Sequence, residues 1–457
     1  MAVPASPAAP PERPAGAGCR PVAGDFACRV PRHHFSLGTI GLAIEMALSA
    51  PCSLRAGASL LDWLTPLLPG LPEAPCANTT RSWLFRLGLH ELTCAKEPGD
   101  DWVWLADHTV QLGIHKGLVI VGLRSSGWQQ KPRPLGHQDL RLLHLEPMEH
   151  SDGRRVCEEL RRTAARYGVP RAIVSDGGSD LRRGVALFRG EHPQVTHSND
   201  IKHKTALLLK KEMERDPAWA KYVSQANLAR HGLTLTSASF LVPPGLKAKA
   251  RYMNVDRLVR WGGDVLAYLD APREVPGAAV DRKLVEDRLG WLRKCRPPLA
   301  RWATLVALAE RGDHYVRHHG YHAAAGEELR GWLEPLALGP AGRRMRDALV
   351  AFVSQQSSAA QPAERLVGST EVLESIIGKY KRLQSTYSGG GMTGMILSIG
   401  AMVGRRSPES VRTALEQVTN HQVGQWCRKH LGVTVQAQRK SALPPAQKWD
   451  PQQLVAT

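Results

Sequence analysis

The stretch VWLADHTVQLG, residues 103–113, begins a series of three apolar runs that short polar turns separate. The second run is HKGLVIVGL at 115–123, and the third is DLRLLHLEP at 139–147. Runs of this length, rich in Val, Ile and Leu and bounded by turn residues, are typical of β-strands. They predict three consecutive strands, and the short connections favour antiparallel pairing.

Helix and strand patterns alternate after the third run. Residues 152–167 have the apolar spacing of an amphipathic helix, and RAIVSDGG at 171–178 has the pattern of a short buried strand. A helix is predicted over 179–188, and a fifth strand in QVTHSND at 194–200. The order β-β-β-α-β-α-β is that of the RNase H-like fold. We therefore predict an α/β protein with an RNase H-like mixed sheet covered by helices.

The N-terminal part has a different character. Residues 1–32 are rich in Pro and Ala and are predicted to be disordered. Residues 33–95 predict three short helices, with Ser53 and Asn78 as caps of the second and third and an end to the third near Gly88. Such a trio is typical of a helix-turn-helix DNA-binding domain, although a plain three-helix bundle has the same pattern.

In the helix-turn-helix interpretation, the third helix is the recognition helix. Its polar residues Thr80, Arg81 and Arg86 would contact DNA, while Trp83 and Leu84 would face the core.

The remaining chain divides around a long helical segment. Residues 100–204 form the first part of the predicted core, and 205–365 read mostly as helices of an insertion domain. Residues 366–438 contain a further core helix and a basic C-terminal region, in which Lys379, Lys381 and Arg382 are candidate DNA contacts. Residues 439–457 are predicted to be a flexible tail.

The charge balance favours a polyanionic partner. Lys and Arg number 60 against 42 Asp and Glu, a formal net charge of +18. Nucleic acid is the first candidate, an anionic membrane surface the second, and a generally basic surface without a specific ligand the third. No apolar run is long enough to span a membrane, and the N-terminus does not resemble a secretory signal.

The eight cysteines are scattered and form no Cys-x-x-Cys pair, which argues against a zinc knuckle. Reduced thiols in a cytosolic protein are the simplest interpretation.

Two aspartates stand at informative places in the predicted strands. Asp107 lies inside the first apolar strand, where an ionised carboxylate is costly unless it is paired or binds a cation. Asp176 ends the fourth strand and precedes Gly177 and Gly178, at the sheet edge where ligands gather. Each has an ordinary alternative, namely a solvent-facing strand residue for Asp107 and a turn or helix-capping residue for Asp176.

A third acid lies in the predicted helix EVLESIIGKYK, residues 371–381. Helical spacing places Glu374 and Lys381 on one face, so the lysine can bind a phosphate beside the carboxylate. Glu371 lies one turn earlier and is the rival to Glu374, and either can simply belong to a solvated face.

Three acids from separate elements suit one kind of chemistry. Phosphoryl transfer on DNA uses two divalent cations roughly 3.5–4 Å apart, and Mg²⁺ prefers carboxylate oxygens, with Mn²⁺ able to substitute. The segment between Asp176 and Glu374 is far too long for a bare RNase H core, which predicts the inserted domain.

Four segments in order resemble those of bacterial DDE transposases: WLADHT at 104–109, IVSDGGSDL at 173–181, SNDIKH at 198–203 and STEVLESIIGKYK at 369–381. The resemblance implies that Asp107, Asp176 and Glu374 are catalytic residues holding two Mg²⁺ ions. It places Asp200 and His203 beside the active site as auxiliary residues, for which a helix cap and a surface histidine are the alternatives. In one large group a Lys or Arg follows the Glu by seven positions, as Lys381 does here. That group's Tyr and Arg just before the Glu are missing.

The resemblance also implies double-stranded DNA as partner, both element ends and target, with a homo-oligomer assembled on DNA and no membrane. A cytoplasmic, nucleoid-associated bacterial protein is the corresponding expectation. Two other classes stay open. One is a different RNase H-like nuclease of resolvase or integrase type, and the other is a non-catalytic DNA-binding derivative of a transposase.

Overall fold

The computed structural model has a mixed α/β architecture, with a five-stranded mixed sheet and many helices. It describes residues 21–50, 52–68, 71, 73–110, 115–131, 134–245, 255–271, 280–387 and 391–443. Within these ranges, no helix combines the length and the apolar character that crossing a membrane requires.

The helices fall into four groups along the chain. The N-terminal group is α1 (Ala23–Ala27), α2 (Leu37–Ser49), α3 (Leu54–Leu64) and α4 (Ala77–Thr93). Helices α5 (Ser125–Gln129), α6 (Gly153–Tyr167) and α7 (Ser179–Glu191) accompany the sheet. The long middle segment contains α8 (Ile201–Glu214), α9 (Pro217–Leu233), α10 (Val255–Asp270), α11 (Arg282–Leu289), α12 (Arg296–His319), α13 (Ala325–Leu333) and α14 (Pro340–Ser357). The C-terminal group is α15 (Glu371–Tyr387), α16 (Ser398–Ala401), α17 (Pro408–Gln417), α18 (Asn420–Leu431) and α19 (Val435–Ala442).

The sheet has the predicted element order with a short helix added. Its strands are β1 (Trp102–Val110), β2 (Lys116–Arg124), β3 (Arg141–Met148), β4 (Ala172–Ser175) and β5 (Thr196–Asn199). They lie in the order β3-β2-β1-β4-β5. The first three pair antiparallel, whereas β4 pairs parallel with both β1 and β5. Strand β1 is therefore central and next to β4.

The two faces of the sheet carry separate apolar clusters, because successive side chains of a strand point to opposite faces. Trp104, Ala106 and Ile120 belong to the cluster that includes α6 and α7. Leu105 and Val121 belong to the larger cluster that includes the apolar residues of α15. Helix α15 thus covers one face of the sheet, and α6 and α7 cover the other.

The N-terminal helices confirm the predicted cap Ser53, add Ser36 as a cap, and correct the predicted cap Asn78. The Ser36 and Ser53 side chains accept hydrogen bonds at the starts of α2 and α3. Helix α4, however, starts at Ala77 rather than after Asn78, and it continues past Gly88 to Thr93. Gly88 lies inside the helix at a close contact with another segment. An added Cβ there would lie 1.7 Å from the Leu397 carbonyl oxygen.

The predicted disorder at the two ends is partly corrected. Within the predicted disordered segment 1–32, residues 21–32 contain α1, whose Phe26 ring packs against Gly38 of α2. The predicted flexible tail overlaps α19, which extends to Ala442. The predictions for 1–20 and 444–457 lie outside the described residues.

The middle segment is helical, as predicted, and is tied to the sheet by its own hydrogen bonds. Its core includes Trp219, Tyr222 and Trp302, with ring centroids 5.0 to 5.8 Å apart. Tyr321, which follows α12, donates a hydrogen bond to the Asn199 carbonyl at the end of β5, at 2.9 Å. The middle segment therefore contacts the sheet edge where β4 and β5 end.

Candidate active site

The first two predicted acids lie next to each other at the carboxyl edge of the sheet. Strands β1 and β4 run parallel, and the last pair in their register joins Ala106 to Ser175. Asp107 and Asp176 each follow that pair by one residue, so their main chains occupy neighbouring strands at the same level. Asp176 Oδ1 also accepts a hydrogen bond of 2.9 Å from Gly178 N, which shapes the turn into α7.

The charges that act on Asp107 include those of both other acids. Burial raises the pKa of Asp107 to about 7, and the negative charges of Asp176 and Glu374 add to that rise. A hydrogen bond from His108 N and the positive charge of Lys381 act in the opposite direction. Both other acids are therefore within electrostatic reach of Asp107.

Glu374 reaches the site from the first turn of α15, whose apolar side packs on the sheet. Its Oε2 lies 3.1 Å from the Lys202 ammonium of α8. The rival acid, Glu371, pairs at 2.5 Å with Arg317 of the insertion, and its Oε1 lies 3.9 Å from Lys202. Glu374 is among the groups that raise the pKa of Asp107.

Lys381 lies where the helical spacing predicts, on the side of α15 that carries Glu374. Its side chain is exposed, and its charge lowers the pKa of Asp107. Lys379 is instead partly buried. Burial lowers the pKa of Lys379, and the neighbouring charges of Arg406 and Arg382 lower it further. Of these three side chains on α15, Lys381 and Arg382 are the exposed ones.

Asp200 is a buried residue that joins β5 to the start of α15. Its Oδ2 accepts a hydrogen bond of 3.1 Å from the Thr370 hydroxyl, and its Oδ1 caps α8 through Lys202 N at 3.3 Å. Thr370 O in turn accepts from Glu374 N at 3.0 Å. Asp200 thus holds the turn of helix that carries Glu374, in addition to the capping role that was its alternative. His203 lies beside Gly177, with 3.7 Å between its Cδ2 and the position of an added Cβ.

The donors suit a hard divalent cation, although no completed metal site is present. Asp107, Asp176 and Glu374 offer carboxylate oxygens, and their mutual repulsion is the kind that a bound cation relieves. Among the described residues, no three Asp, Glu, His or Cys side chains converge closely enough to form a metal site. Glu374 is paired instead with the Lys202 ammonium.

Two of the predicted DNA contacts on α4 are corrected by their surroundings. Thr80 is buried in the N-terminal helical layer. The Arg86 guanidinium donates to the main-chain carbonyls of Leu415 and Val418, in and just after α17. Arg86 therefore joins α4 to α17, and the buried Thr80 side chain cannot face a DNA groove. Arg81 lies with its guanidinium 5.9 Å from the centre of the Phe85 ring.

Sequence patterns did not indicate the positively charged residues that pair with the acids of α15. Lys202 lies inside the segment SNDIKH, but only its neighbours Asp200 and His203 were singled out. Asp313 and Arg317 lie in the insertion and carry no local signal. Burial raises the pKa of Asp313 to about 7, and the charge of Glu371 adds to the rise, so the insertion contributes charged groups next to α15.

Comparison with solved structures finds a distant similarity to the Drosophila P element transposase strand transfer complex. The TM-score is 0.37 with 12% sequence identity, over 86% of this chain and 92% of that chain. No protein-family model matches the sequence, and no curated protein matches it either.

Proposed function

We propose that this chain is a DDE-type transposase with an RNase H-like catalytic core. It would cleave DNA strands at the ends of a mobile element and transfer them to target DNA. The support comes from the chain's own site, because the three predicted acids come from three separate elements. Asp107 lies on β1, Asp176 directly follows the parallel neighbour β4, and Glu374 lies on the helix that covers one face.

The single observation that carries the proposal is the placement of Asp107 and Asp176 one residue beyond the last pair of the parallel strands β1 and β4, with Glu374 on the helix that covers that face of the sheet. Carboxylates that repel one another in a partly buried site weaken the fold unless they are protonated or share a cation. Proteins retain such clusters where function uses them. Here the cluster lies at the carboxyl edge of a sheet, the usual place for ligands in such folds.

The residues divide into ligands and supports. Asp107, Asp176 and Glu374 would hold two Mg²⁺ ions, or Mn²⁺ in their place, which supply the positive charge that stabilises the attacking and leaving oxygens at phosphorus. Asp200 keeps the start of α15 in place through Thr370. Lys381, exposed on the same side of the helix as Glu374, would bind a phosphate next to the scissile one.

The reaction has two displacements at phosphorus. Water first breaks the phosphodiester at the element's end and releases a 3′-hydroxyl. That hydroxyl then attacks a target phosphodiester in line and displaces the 3′-oxygen of the target strand. No covalent enzyme intermediate is required. Because both element ends must be processed together, the proposal includes a homo-oligomer on double-stranded DNA, with Lys381 and Arg382 among the DNA contacts.

A nicking assay tests the proposal. The substrate is a plasmid carrying the DNA that flanks the gene, incubated with Mg²⁺ or Mn²⁺. Asp107→Asn, Asp176→Asn and Glu374→Gln should each reduce cleavage at least a hundredfold. Glu371→Gln and Asp180→Asn are matched controls, because each neutralises an acid within four residues of a ligand.

The controls should retain cleavage within about threefold. Loss with Glu371→Gln but not with Glu374→Gln would move the site to the other acid. Metal-dependent cleavage of a four-way junction lacking the flanking DNA, and none of the plasmid, would support a resolvase instead. End binding without any cleavage would indicate a non-catalytic derivative.

A further inference from the structure

Three arginines at the starts of α6 and α7 form an exposed basic rim, which we define as Arg154, Arg182 and Arg183. All three side chains are exposed, and none forms an ion pair with an acid among the described residues. Three of the four other arginines of α6 behave differently. Arg155 and Arg161, for example, pair with glutamates of β3, α6 or α7.

The packing of the two helices brings part of the rim together. An added Cβ at Gly153 would lie 2.5 Å from Arg183 Cγ, so the stem of Arg183 lies directly against the first residue of α6. Arg154 is the next residue along that helix. Hydrogen bonds from the main chain of α6 lower the pKa of the exposed Asp152 carboxyl. The charges of Arg154 and Arg183 lower this pKa further, by smaller amounts.

Nearby acids do not neutralise the rim. Asp152 is the cap of α6 and accepts hydrogen bonds from two main-chain N–H groups. Asp180, at the start of α7, forms an ion pair with the Lys116 ammonium at 3.1 Å. Its carboxylate also accepts a hydrogen bond of 2.8 Å from the Ser151 hydroxyl. The main chain adds positive potential, because a helix carries a partial positive charge at its N-terminus. Among the residues that the structure describes, none forms an ion pair or hydrogen bond with these three guanidinium groups.

The rim lies at the catalytic edge of the sheet. Strands β3, β4 and β5 all run in the same direction, so α6 and α7 each begin where a strand ends. Asp176 occupies the same edge, immediately before α7. Helix α15, with Lys381 and Arg382, covers the opposite face of the sheet. The acids are therefore flanked by two basic groups, one from each face.

We propose that the rim binds the phosphate backbone of a second DNA duplex, the target, while α15 contacts the element's end. This inference rests on the proposed function and assigns a surface to its second substrate. The guanidinium groups are exposed on the outside of two helices, an arrangement that suits an extended polyanion. Contacts of this kind position DNA without reading its sequence.

The test measures binding of the full-length chain to a labelled random duplex that lacks the flanking DNA. Fluorescence anisotropy is followed over a range of salt concentrations in EDTA, so the result does not depend on metal or cleavage. Each phosphate contact adds about 0.9 to the slope of log affinity against log salt. The triple variant Arg154→Gln, Arg182→Gln, Arg183→Gln should lower that slope by about 2 to 3.

Two further variants make the result interpretable. The triple Lys replacement at the same positions keeps the charge and should restore most of the slope. The control Lys211→Gln, Lys221→Gln, Arg257→Gln removes three exposed charges from the insertion helices and should change the slope by less than about 0.5. An unchanged slope in the rim variant, or an equal decrease in the control, would overturn the assignment.

The strand-transfer assay separates this inference from the proposed function. With an active protein, the rim variant should retain end cleavage within about threefold and lose at least tenfold in joining to target DNA. Equal losses in both steps would also overturn the target assignment. If no variant or wild-type protein cleaves DNA while the slope still decreases as predicted, the proposed function fails and the DNA surface stands.

Discussion

The Lys202 ammonium lies 3.1 Å from Glu374 Oε2, in the position of a counter-ion to the third acid of the site. The side chains of both residues are 29% exposed, so solvent screens this pair only in part. Lys202 also lies 3.9 Å from Glu371 Oε1. A cation that binds Glu374 must therefore compete with a charge that the protein itself provides.

Replacing Lys202 by Met should strengthen the binding of divalent metal. Removing the ammonium raises the negative charge available to a cation, and a net gain of about 1 kcal/mol corresponds to roughly fivefold tighter binding. Titration with Mn²⁺ followed by electron paramagnetic resonance measures the affinity directly. Lys211→Met, on the same helix, is the control and should leave the affinity unchanged. Weaker Mn²⁺ binding in Lys202→Met would mean that the lysine supports the site instead.

Gly88 should not tolerate a side chain. An alanine Cβ there would lie 1.7 Å from the Leu397 carbonyl oxygen, and an added Cβ at Gly400 would lie 2.6 Å from the Gly88 carbonyl oxygen. Gly88→Ala should therefore lower the free energy of unfolding by about 2–4 kcal/mol, as overpacking does when main chain is the obstacle. Gly378→Ala on α15 meets nothing within 4 Å and should raise stability by about 0.5–1 kcal/mol. Urea unfolding compares the two, and similar stabilities would contradict the close approach.

Arg86 should behave as a structural residue. Its guanidinium donates to the carbonyl oxygens of Leu415 and Val418, and truncation leaves both without this donor. Arg86→Ala should reduce the free energy of unfolding by about 1.5–3 kcal/mol. The salt slope of DNA binding by the folded variant should stay unchanged. An unchanged free energy of unfolding, together with a salt slope of DNA binding lowered by about 1, would instead support the DNA contact expected from the sequence.

Local sequence patterns predict the strands and one of the acids, whereas contacts between residues distant in sequence leave no such pattern. Strands β1 to β5 were predicted because alternation and turn residues are local signals, and Asp176 was found because it ends a strand before two glycines. The close contact of Gly88 and the hydrogen bonds of Arg86 involve α16 and α17, which follow more than 300 residues later in the sequence. Lys202 and Arg317 were missed for the same reason, since their partners on α15 are distant in sequence.

His197 should make stability depend on pH. Burial lowers the pKa of this β5 residue to about 4, and its Nε2 lies 2.9 Å from the Ser175 hydroxyl. Because the folded pKa is below the ordinary value of 6.5, the unfolded chain binds the extra proton first. The stabilisation is therefore complete above pH 6.5 and is lost as the pH falls towards 4.

At one pKa unit per about 1.4 kcal/mol, the loss amounts to at most about 3 kcal/mol. His197→Gln should flatten the dependence in that range, and His231→Gln, which changes an exposed side chain, should not. Urea unfolding at pH 4.5, 5.5 and 7 measures how the free energy of unfolding depends on pH. Parallel curves for wild type and His197→Gln would contradict the shifted pKa.

The central claim is that Asp107, Asp176 and Glu374 hold the same pair of cations. The most direct measurement is anomalous scattering from crystals of the full-length chain grown with Mn²⁺. We expect anomalous peaks roughly 2.0–2.2 Å from carboxylate oxygens of all three residues, with the Lys202 ammonium displaced from Glu374. Peaks confined to Glu371 and Asp313, or none at saturating Mn²⁺, would contradict it.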